Sequence, residues 1–152
     1  MQGVHRTWLA PDGQNKAAVD TPRRAMGHLL GNAVRIAPAD QTLVLGEGIE
    51  TMLSVREAAP SLPVWAALSS GHLGAVLLPV GLQRLYIAID RDPAGQRAAE
   101  RLTARATEAG FHAGVAKGCD EGIEDIADCV DEALRQHLAQ QIDPKDQHRL
   151  MI

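Results

Sequence analysis

The sequence predicts an α/β fold: a parallel sheet with helices on both faces, preceded by an N-terminal β-hairpin. The first observation is that short apolar runs alternate with helical patterns from residue 42 onwards. The connections are long enough for right-handed crossovers, which cover both faces of a parallel sheet with helices. The second observation is that two short runs flank a Pro-Asp-Gly signal near the N-terminus, a pattern typical of a hairpin.

The predicted hairpin spans residues 4–19. Its strands are residues 5–9, which alternate, and residues 16–19, with a turn at Pro11-Asp12-Gly13. Residues 21–24 then break the pattern, and residues 27–31 are expected to form a loop. Residues 34–36 are expected to form a short strand before the next proline.

Apolar strands and helices follow in alternation. The strands are predicted at residues 42–45, 64–68, 85–89 and 111–116, and the helices at residues 49–59, 73–78, 93–109 and 123–138. Pro60 ends the first helix, while Pro93 begins the third and Gly110 caps it. The strand at residues 85–89 is apolar on both faces, as a central parallel strand should be. The polar tail after Gln141 is expected to fray.

Length and composition fit one globular protein with three segments. At 152 residues, 45% of them hydrophobic, the chain can bury a hydrophobic core without needing disulfides or a structural metal ion. We assign residues 1–40 to the hairpin and a basic lead-in packed on the core, residues 41–140 to the α/β domain, and residues 141–152 to a polar tail.

The sequence favours a cytoplasmic protein without membrane contact. The N-terminus lacks the apolar region of a signal peptide, and no apolar run approaches the ~20 residues that span a bilayer. Cys119 and Cys129 show no metal-ligand spacing and are therefore expected to be reduced thiols. A disulfide between them is the less favoured alternative.

Charge is distributed unevenly along the chain. The formal net charge is −4, yet residues 1–36 carry five basic residues and two acidic ones. A basic front on an acidic body is suited to bring phosphates towards bound divalent ions, although chance clustering on a solvated surface explains the charge equally well. The candidate nucleic-acid contacts are Arg6, Lys16, Arg23 and Arg24. Trp8 is assigned to packing, with stacking on a base as the less favoured alternative.

Two acidic motifs directly follow predicted strands. Glu47 stands between Gly46 and Gly48 after one strand, and an Asp-x-Asp pair, Asp90 and Asp92, follows another. Because the carboxyl ends of parallel strands lie at one edge of the sheet, we expect the three carboxylates to share a crevice there. Mg²⁺ favours carboxylate oxygens, and a cation would relieve their mutual repulsion. The alternative for Asp92 is that it only caps the helix that follows.

Joined to their flanks, these motifs resemble the Toprim domain, which is shared by bacterial-type primases, type IA and type II topoisomerases and certain nucleases. The matching residues are Gly46-Glu47-Gly48 and Asp90-Arg91-Asp92-Pro93-Ala94-Gly95. Within this family, the hairpin and residues 63–69 more closely resemble the Toprim modules of phage and plasmid primases and primase-helicases. The resemblance implies a Rossmann-like sheet, with Glu47 as general acid/base or metal ligand and the Asp-x-Asp pair as ligands of Mg²⁺ (or Mn²⁺).

A late acidic motif departs from the Toprim pattern. Primase members often carry Lys-Asp-x-Asn-Asp, whereas this chain reads Glu124-Asp125-Ile126-Ala127-Asp128. Both aspartates are kept, so Asp125 and Asp128 are candidate metal ligands. The alternative is that they belong to a helix N-terminus, where acidic residues are stabilising in any case.

The loop at residues 69–72 holds two weaker candidates. Its small residues, Ser69-Ser70-Gly71, could offer backbone N–H groups to an anion. His72 could touch a phosphate. An ordinary surface loop is the favoured interpretation of both.

Motifs that the sequence lacks reduce the number of reactions that the resemblance implies. The single tyrosine, Tyr86, lies inside an apolar strand, which argues against the tyrosine nucleophile that topoisomerases of this class need. The sequence has neither paired CxxC motifs nor a Walker A loop, so it carries neither the zinc module nor the motor of a complete primase-helicase. What remains is metal-assisted phosphoryl transfer on nucleic acid.

We therefore predict the Toprim module of a mobile-element DNA primase, a nucleotidyltransferase that uses DNA, an RNA primer and nucleoside triphosphates. A helicase or another replication protein is the expected protein partner. A Toprim nuclease is the alternative enzyme, and a module that binds nucleic acid or a protein is the alternative without activity. The sequence leaves open whether the chain is an enzyme.

Overall fold

The computed structural model describes residues 2–89, 92–117 and 142–146. The strands in these ranges are β1 (Gly3–Thr7), β2 (Arg23–Gly27), β3 (Val34–Arg35), β4 (Thr42–Gly46), β5 (Val64–Ala66), β6 (Arg84–Ile89) and β7 (His112–Lys117). The helices are α1 (Ile49–Ala58), α2 (Ser70–Leu73) and α3 (Pro93–Glu108). Strands β1 and β2 form a hairpin, and the other five form a sheet of order β3-β5-β4-β6-β7.

The sheet is parallel apart from one edge strand. Strand β4 pairs in parallel with β5 and β6, β6 pairs in parallel with β7, and β3 pairs with β5 antiparallel. Met52 and Val55 of α1 pack on one face against Val44, whereas Leu102 of α3 packs on the other face with Leu45. The predicted fold class, a parallel sheet with helices on both faces and an N-terminal hairpin, is confirmed.

Strand β6 shows why the central strands read as continuous apolar runs. It lies between β4 and β7, and residues 85–89 are all buried. A strand with neighbours on both sides and helices on both faces has no solvent-facing side chain, so alternation is lost. In the described part of the chain, no helix has the length and apolar character needed to cross a membrane.

The second strand of the hairpin differs from the predicted one. Strand β2 lies at Arg23–Gly27, and residues 16–19 contribute only an isolated bridge between Lys16 and Leu9. Trp8 accepts a hydrogen bond from the Ala17 N–H and donates its own N–H to the Pro22 carbonyl, so the chain between Ala17 and Pro22 loops out of the pairing. Pro22 therefore does not break the ladder, because only its carbonyl is used there.

Helix α2 also differs from its prediction. It begins at Ser70 rather than at Leu73, and residues 76–79 belong to no helix. The Ser69 hydroxyl accepts a hydrogen bond from the His72 N–H at 3.2 Å, which caps the helix one turn earlier than its apolar residues suggest. The predicted helix at residues 123–138 lies outside the described residues.

Residues 142–146, called here the C-terminal anchor, are packed rather than frayed, so that part of the tail prediction is wrong. Ile142 is buried among core residues beneath α1, and Asp146 is fully buried. Arg84 donates to both Asp146 oxygens, from Nε to Oδ2 at 2.5 Å and from Nη2 to Oδ1 at 2.9 Å. The Tyr86 hydroxyl donates to Asp146 Oδ2 at 2.9 Å and accepts from the Asp143 N–H at 3.0 Å.

The Tyr86 hydroxyl is expected to make stability decline at high pH. Burial and its hydrogen bond to Asp146 raise the pKa of Tyr86 to about 12, against an ordinary value of about 10. Because the folded pKa is the higher one, the stabilisation is complete below pH ~10 and is lost as pH rises through about 12. Since Tyr86 is the only tyrosine, tyrosinate absorbance during a pH titration reports this group alone.

The matched control is Tyr86→Phe, followed by urea unfolding from neutral to alkaline pH. The variant should be less stable at neutral pH by about 1–3 kcal/mol, because the partners of the hydroxyl lose a buried hydrogen bond. Its stability should also fall less steeply between pH ~10 and ~12. A tyrosine that titrates near 10 in the folded protein would contradict this account.

Candidate metal centre

Glu47 is held in place by the loop that follows strand β5. It comes directly after β4, is half-buried, and its backbone carbonyl accepts the Leu68 N–H at 2.8 Å. Its carboxylate accepts a hydrogen bond from the Ser70 N–H. Both the backbone and the side chain of Glu47 are therefore fixed by residues 68–70 at the carboxyl edge of the sheet.

The charge of Glu47 is disfavoured by its surroundings. Burial raises the pKa of Glu47, the Ser70 N–H lowers it in part, and the neighbouring negative charge of Asp92 raises it further. A carboxyl group with a raised pKa lies closer to the pH range in which it can exchange protons. The same charge repulsion is what a bound cation would relieve.

The two glycines beside Glu47 have different roles. A Cβ at Gly46 would meet Met52 Sδ and would lie 3.0 Å from the Ala88 carbonyl oxygen, so the packing of β4 against α1 and β6 requires glycine there. Gly48 is the N-cap of α1 with φ −82°, a conformation open to any residue. A Cβ at Gly48 would lie 3.1 Å from the Thr51 hydroxyl, which would have to shift, so the backbone conformation itself demands glycine at neither position and close packing constrains Gly46 more.

Leu68 is the strained residue of the site. Its φ of +77° makes it the one non-glycine residue with positive φ in the described ranges. Such a conformation costs roughly 1–3 kcal/mol and persists where the surroundings fix it, which is common at functional sites. Here it turns the chain out of β5 so that the Ser70 N–H reaches the Glu47 carboxylate. Sequence reasoning missed this residue, because an apolar leucine after a strand carries no signal of positive φ.

Asp92 serves as the cap of α3 and as the charged neighbour of Glu47. Its Oδ1 accepts the Ala94 and Gly95 N–H groups, both at 2.7 Å. Asp92 therefore does cap the helix, as the alternative interpretation expected. The cap uses only Oδ1, and Oδ2 takes no part in it. Asp92 is exposed at the edge where Glu47 lies.

The structure brings together part of the predicted metal-ligand set. Glu47 and Asp92 are neighbours, whereas Asp90, Asp125 and Asp128 lie outside the described residues. Among the residues that are described, no three His, Cys, Asp or Glu side chains form a group able to hold a metal ion. Glu47 and Asp92 are therefore only part of the predicted ligand set, and the metal site stays a prediction.

The loop at residues 69–72 makes hydrogen bonds to other groups of the protein. The anion that meets its backbone is the carboxylate of Glu47, bound by the Ser70 N–H. The Ser69 hydroxyl caps α2, and His72 is half-buried, with a buried Nδ1 that has no hydrogen-bond partner among the described residues. Its contact with a phosphate stays untested.

The four candidate nucleic-acid contacts lie on the hairpin but are not equivalent. Arg23 forms an ion pair with Glu50 in the first turn of α1. Arg6 and Arg24 are opposite each other in the β1–β2 register. Lys16 is exposed at the isolated bridge. The ion pair joins the hairpin to the helix that begins directly after the Glu47 loop.

The fold and the acidic edge define an α/β domain with a carboxylate site beyond the ends of its central strands. A family model described as "Toprim domain" matches residues 42–137, and the chain belongs to that family. A second model, described as "Domain of unknown function (DUF7146)", matches residues 1–36, which contain the hairpin. No curated protein matches significantly.

A solved structure shows the same fold. It is the crystal structure of the primase fragment of the bacteriophage T7 primase-helicase protein, with a TM-score of 0.61 and 16% sequence identity. The match covers 93% of this chain and 62% of that one, so the chain spans less than two thirds of the fragment's length. At this identity the likeness concerns the fold.

Proposed function

We propose that this chain is the catalytic Toprim module of a phage- or plasmid-type DNA primase, acting by Mg²⁺-dependent phosphoryl transfer on nucleic acid. The observation that carries the proposal is the pair Glu47 and Asp92, brought together at the carboxyl edge with unfavourable charge repulsion. Membership of the Toprim family and the fold shared with a phage primase fragment support it. The substrates would be DNA, an RNA primer and nucleoside triphosphates, with a helicase as the protein partner.

The donor set suits Mg²⁺ or Mn²⁺. Asp92 offers a carboxylate oxygen that its cap does not use, and Asp90 and Glu47 complete the proposed first set of ligands, with Asp125 and Asp128 as accessory ones. When bound, the ion would neutralise phosphate oxygens and orient the reacting groups. Glu47, fixed by Ser70 and poised by its raised pKa, would move the proton of the attacking hydroxyl or bind the ion directly.

Metal binding is the direct test. Mg²⁺ or Mn²⁺ at about 100 times its Kd should raise the melting temperature by roughly 5–10 °C. Asp92→Asn should abolish most of this rise, because asparagine still caps α3 but no longer carries charge. Glu47→Gln should reduce the rise too, yet leave the metal-free protein no less stable at neutral pH, since the ionised carboxylate is disfavoured there.

Glu57→Gln is the matched control, because Glu57 is exposed on α1 and outside the site. It should keep the full metal response. A wild-type protein that binds these ions no better than Asp92→Asn and Glu47→Gln would sink the proposal. If metal binds, primer synthesis on a single-stranded template distinguishes the primase from a nuclease, which would instead shorten labelled DNA.

A further inference from the structure

One face of the hairpin points away from the acidic edge. In β1, residues 3, 5 and 7 are half-buried while Val4 and Arg6 are exposed. The buried-side residue His5 lines two cavities that also contain Leu68, the residue beside Glu47. The opposite side therefore faces solvent. We call it the outer hairpin face, formed by Val4, Arg6, Trp8, Arg24 and Met26.

The charges on the outer hairpin face are unfavourable for the isolated protein. Arg6 lies directly opposite Arg24 in the antiparallel register. Like charges in directly opposed positions destabilise a strand pair. Within the described ranges the ion pairs are Arg23–Glu50 and Arg84–Asp146, and neither includes Arg6 or Arg24. Stacking on Trp8 places the Arg6 guanidinium but supplies no negative charge, whereas an anion that contacts both guanidinium groups would neutralise the pair.

An aromatic surface lies beside the two arginines. The Arg6 guanidinium stacks over the Trp8 ring at 4.0 Å from its centroid. A cavity of about 430 Å³ adjoins this ring and is lined by Trp8, Val19, Asp20, Thr21 and Arg24. That volume lies within the range of about 300–1,000 Å³ that is usual for small-ligand sites. Val4 and Met26 extend the face with apolar surface, the two residues being 51% and 70% exposed.

We infer that the outer hairpin face binds a single strand of nucleic acid away from the catalytic edge. A backbone phosphate would contact Arg6 and Arg24. A base would stack in the adjoining cavity against the face of the Trp8 ring that Arg6 does not cover, with Asp20 able to accept from an exocyclic amino group. Single strands fit because stacking needs an uncovered base face, which a duplex hides. The inference rests on the proposed function for its partner class but on different residues.

The test measures binding of a fluorescent single-stranded oligonucleotide by anisotropy, in buffer with a chelator so that the metal centre makes no contribution. The double variant Arg6→Gln, Arg24→Gln should weaken binding and reduce the salt slope by about 0.7, as the loss of one neutralised phosphate on a single strand requires. Trp8→Ala should weaken binding by about 5- to 150-fold, the loss typical of one stacked base. Trp8→Phe, which keeps a ring, should lose less.

Lys145→Gln is the control for the loss of a positive charge elsewhere, because Lys145 is exposed on the C-terminal anchor and outside the outer hairpin face, and its binding should be close to that of the wild type. An abasic oligomer should lose the part of the affinity that depends on Trp8. Unchanged binding in the folded Arg6→Gln, Arg24→Gln protein, or equal binding of abasic and natural strands, overturns the inference. If strand binding fails these tests while the wild-type protein still binds the metal ion, only the inference about the outer hairpin face is overturned. If metal binding fails while strand binding passes, only the proposed function is overturned.

Discussion

Replacing Glu47 with glutamine is expected to lower metal-dependent phosphoryl transfer by about 10²- to 10⁴-fold, the usual contribution of a positioned general acid or base. Glutamine can still accept the Ser70 N–H that orients Glu47, so the loop should keep its geometry. It can neither exchange a proton nor carry the charge that a cation requires. Single-turnover primer synthesis with saturating template is the suitable measurement, because it separates chemistry from product release.

The same reaction run with Glu57→Gln gives the background effect of losing a carboxylate from α1, and no rate change is expected. Equal rates for wild type and Glu47→Gln would show that Glu47 has no chemical role. If Glu47 transfers a proton, the pH profile shows in which direction. If Glu47 acts as a base, the rate falls as pH drops through its raised pKa; if it acts as an acid, the rate falls as pH rises through it.

Replacing Asp146 with alanine is expected to destabilise the protein by about 3 kcal/mol, at the low end of the range for breaking a buried ion pair. Asp146 is fully buried and accepts hydrogen bonds from Arg84 and Tyr86. Its removal leaves the tyrosine hydroxyl without that acceptor. The Arg84 side chain remains 20% exposed, so water can solvate part of the stranded charge, which limits the loss. Urea unfolding at neutral pH measures the difference.

Asp143→Ala is the matched control within the same anchor. The Asp143 carboxylate accepts only the neighbouring Lys145 N–H in the contacts described, at 2.9 Å, whereas its backbone N–H, which the variant keeps, donates to Tyr86. This variant should lose less than about 1 kcal/mol. If both variants were equally stable, the buried Asp146 network would not contribute to folding as argued.

Much of the sheet was predictable because its strands are buried on both faces. Strand β4 has five buried residues, and β6 is nearly as apolar, so each reads as an uninterrupted run. Helix α3 was predictable from Pro93 and the capping Asp92. Glu47 and Asp92 could be placed at one edge since each follows a parallel strand, and the direction of β4 and β6 then decides where both lie.

Other features have no local signal. Strand β2 is exposed at every position, so its pairing with β1 is decided by backbone hydrogen bonds and not by an apolar pattern. The C-terminal anchor looked like a polar tail because the partner that makes Asp146 favourable, Arg84, is remote in sequence. The partner of Arg23 is likewise set by tertiary structure, since Glu50 lies across the interface between hairpin and helix.

Different contacts hold strand β4 in place at its two ends. Thr42, at its start, belongs to the buried network of Arg84 and Asp146, whereas Glu47, just past its end, is held by Leu68 and the Ser70 N–H. Substitutions of the Glu47 side chain therefore remove no contact of the network at Thr42, Arg84 and Asp146. A lineage carrying this fold can exchange or abandon its chemistry at one end of the strand without first acquiring extra stability at the other.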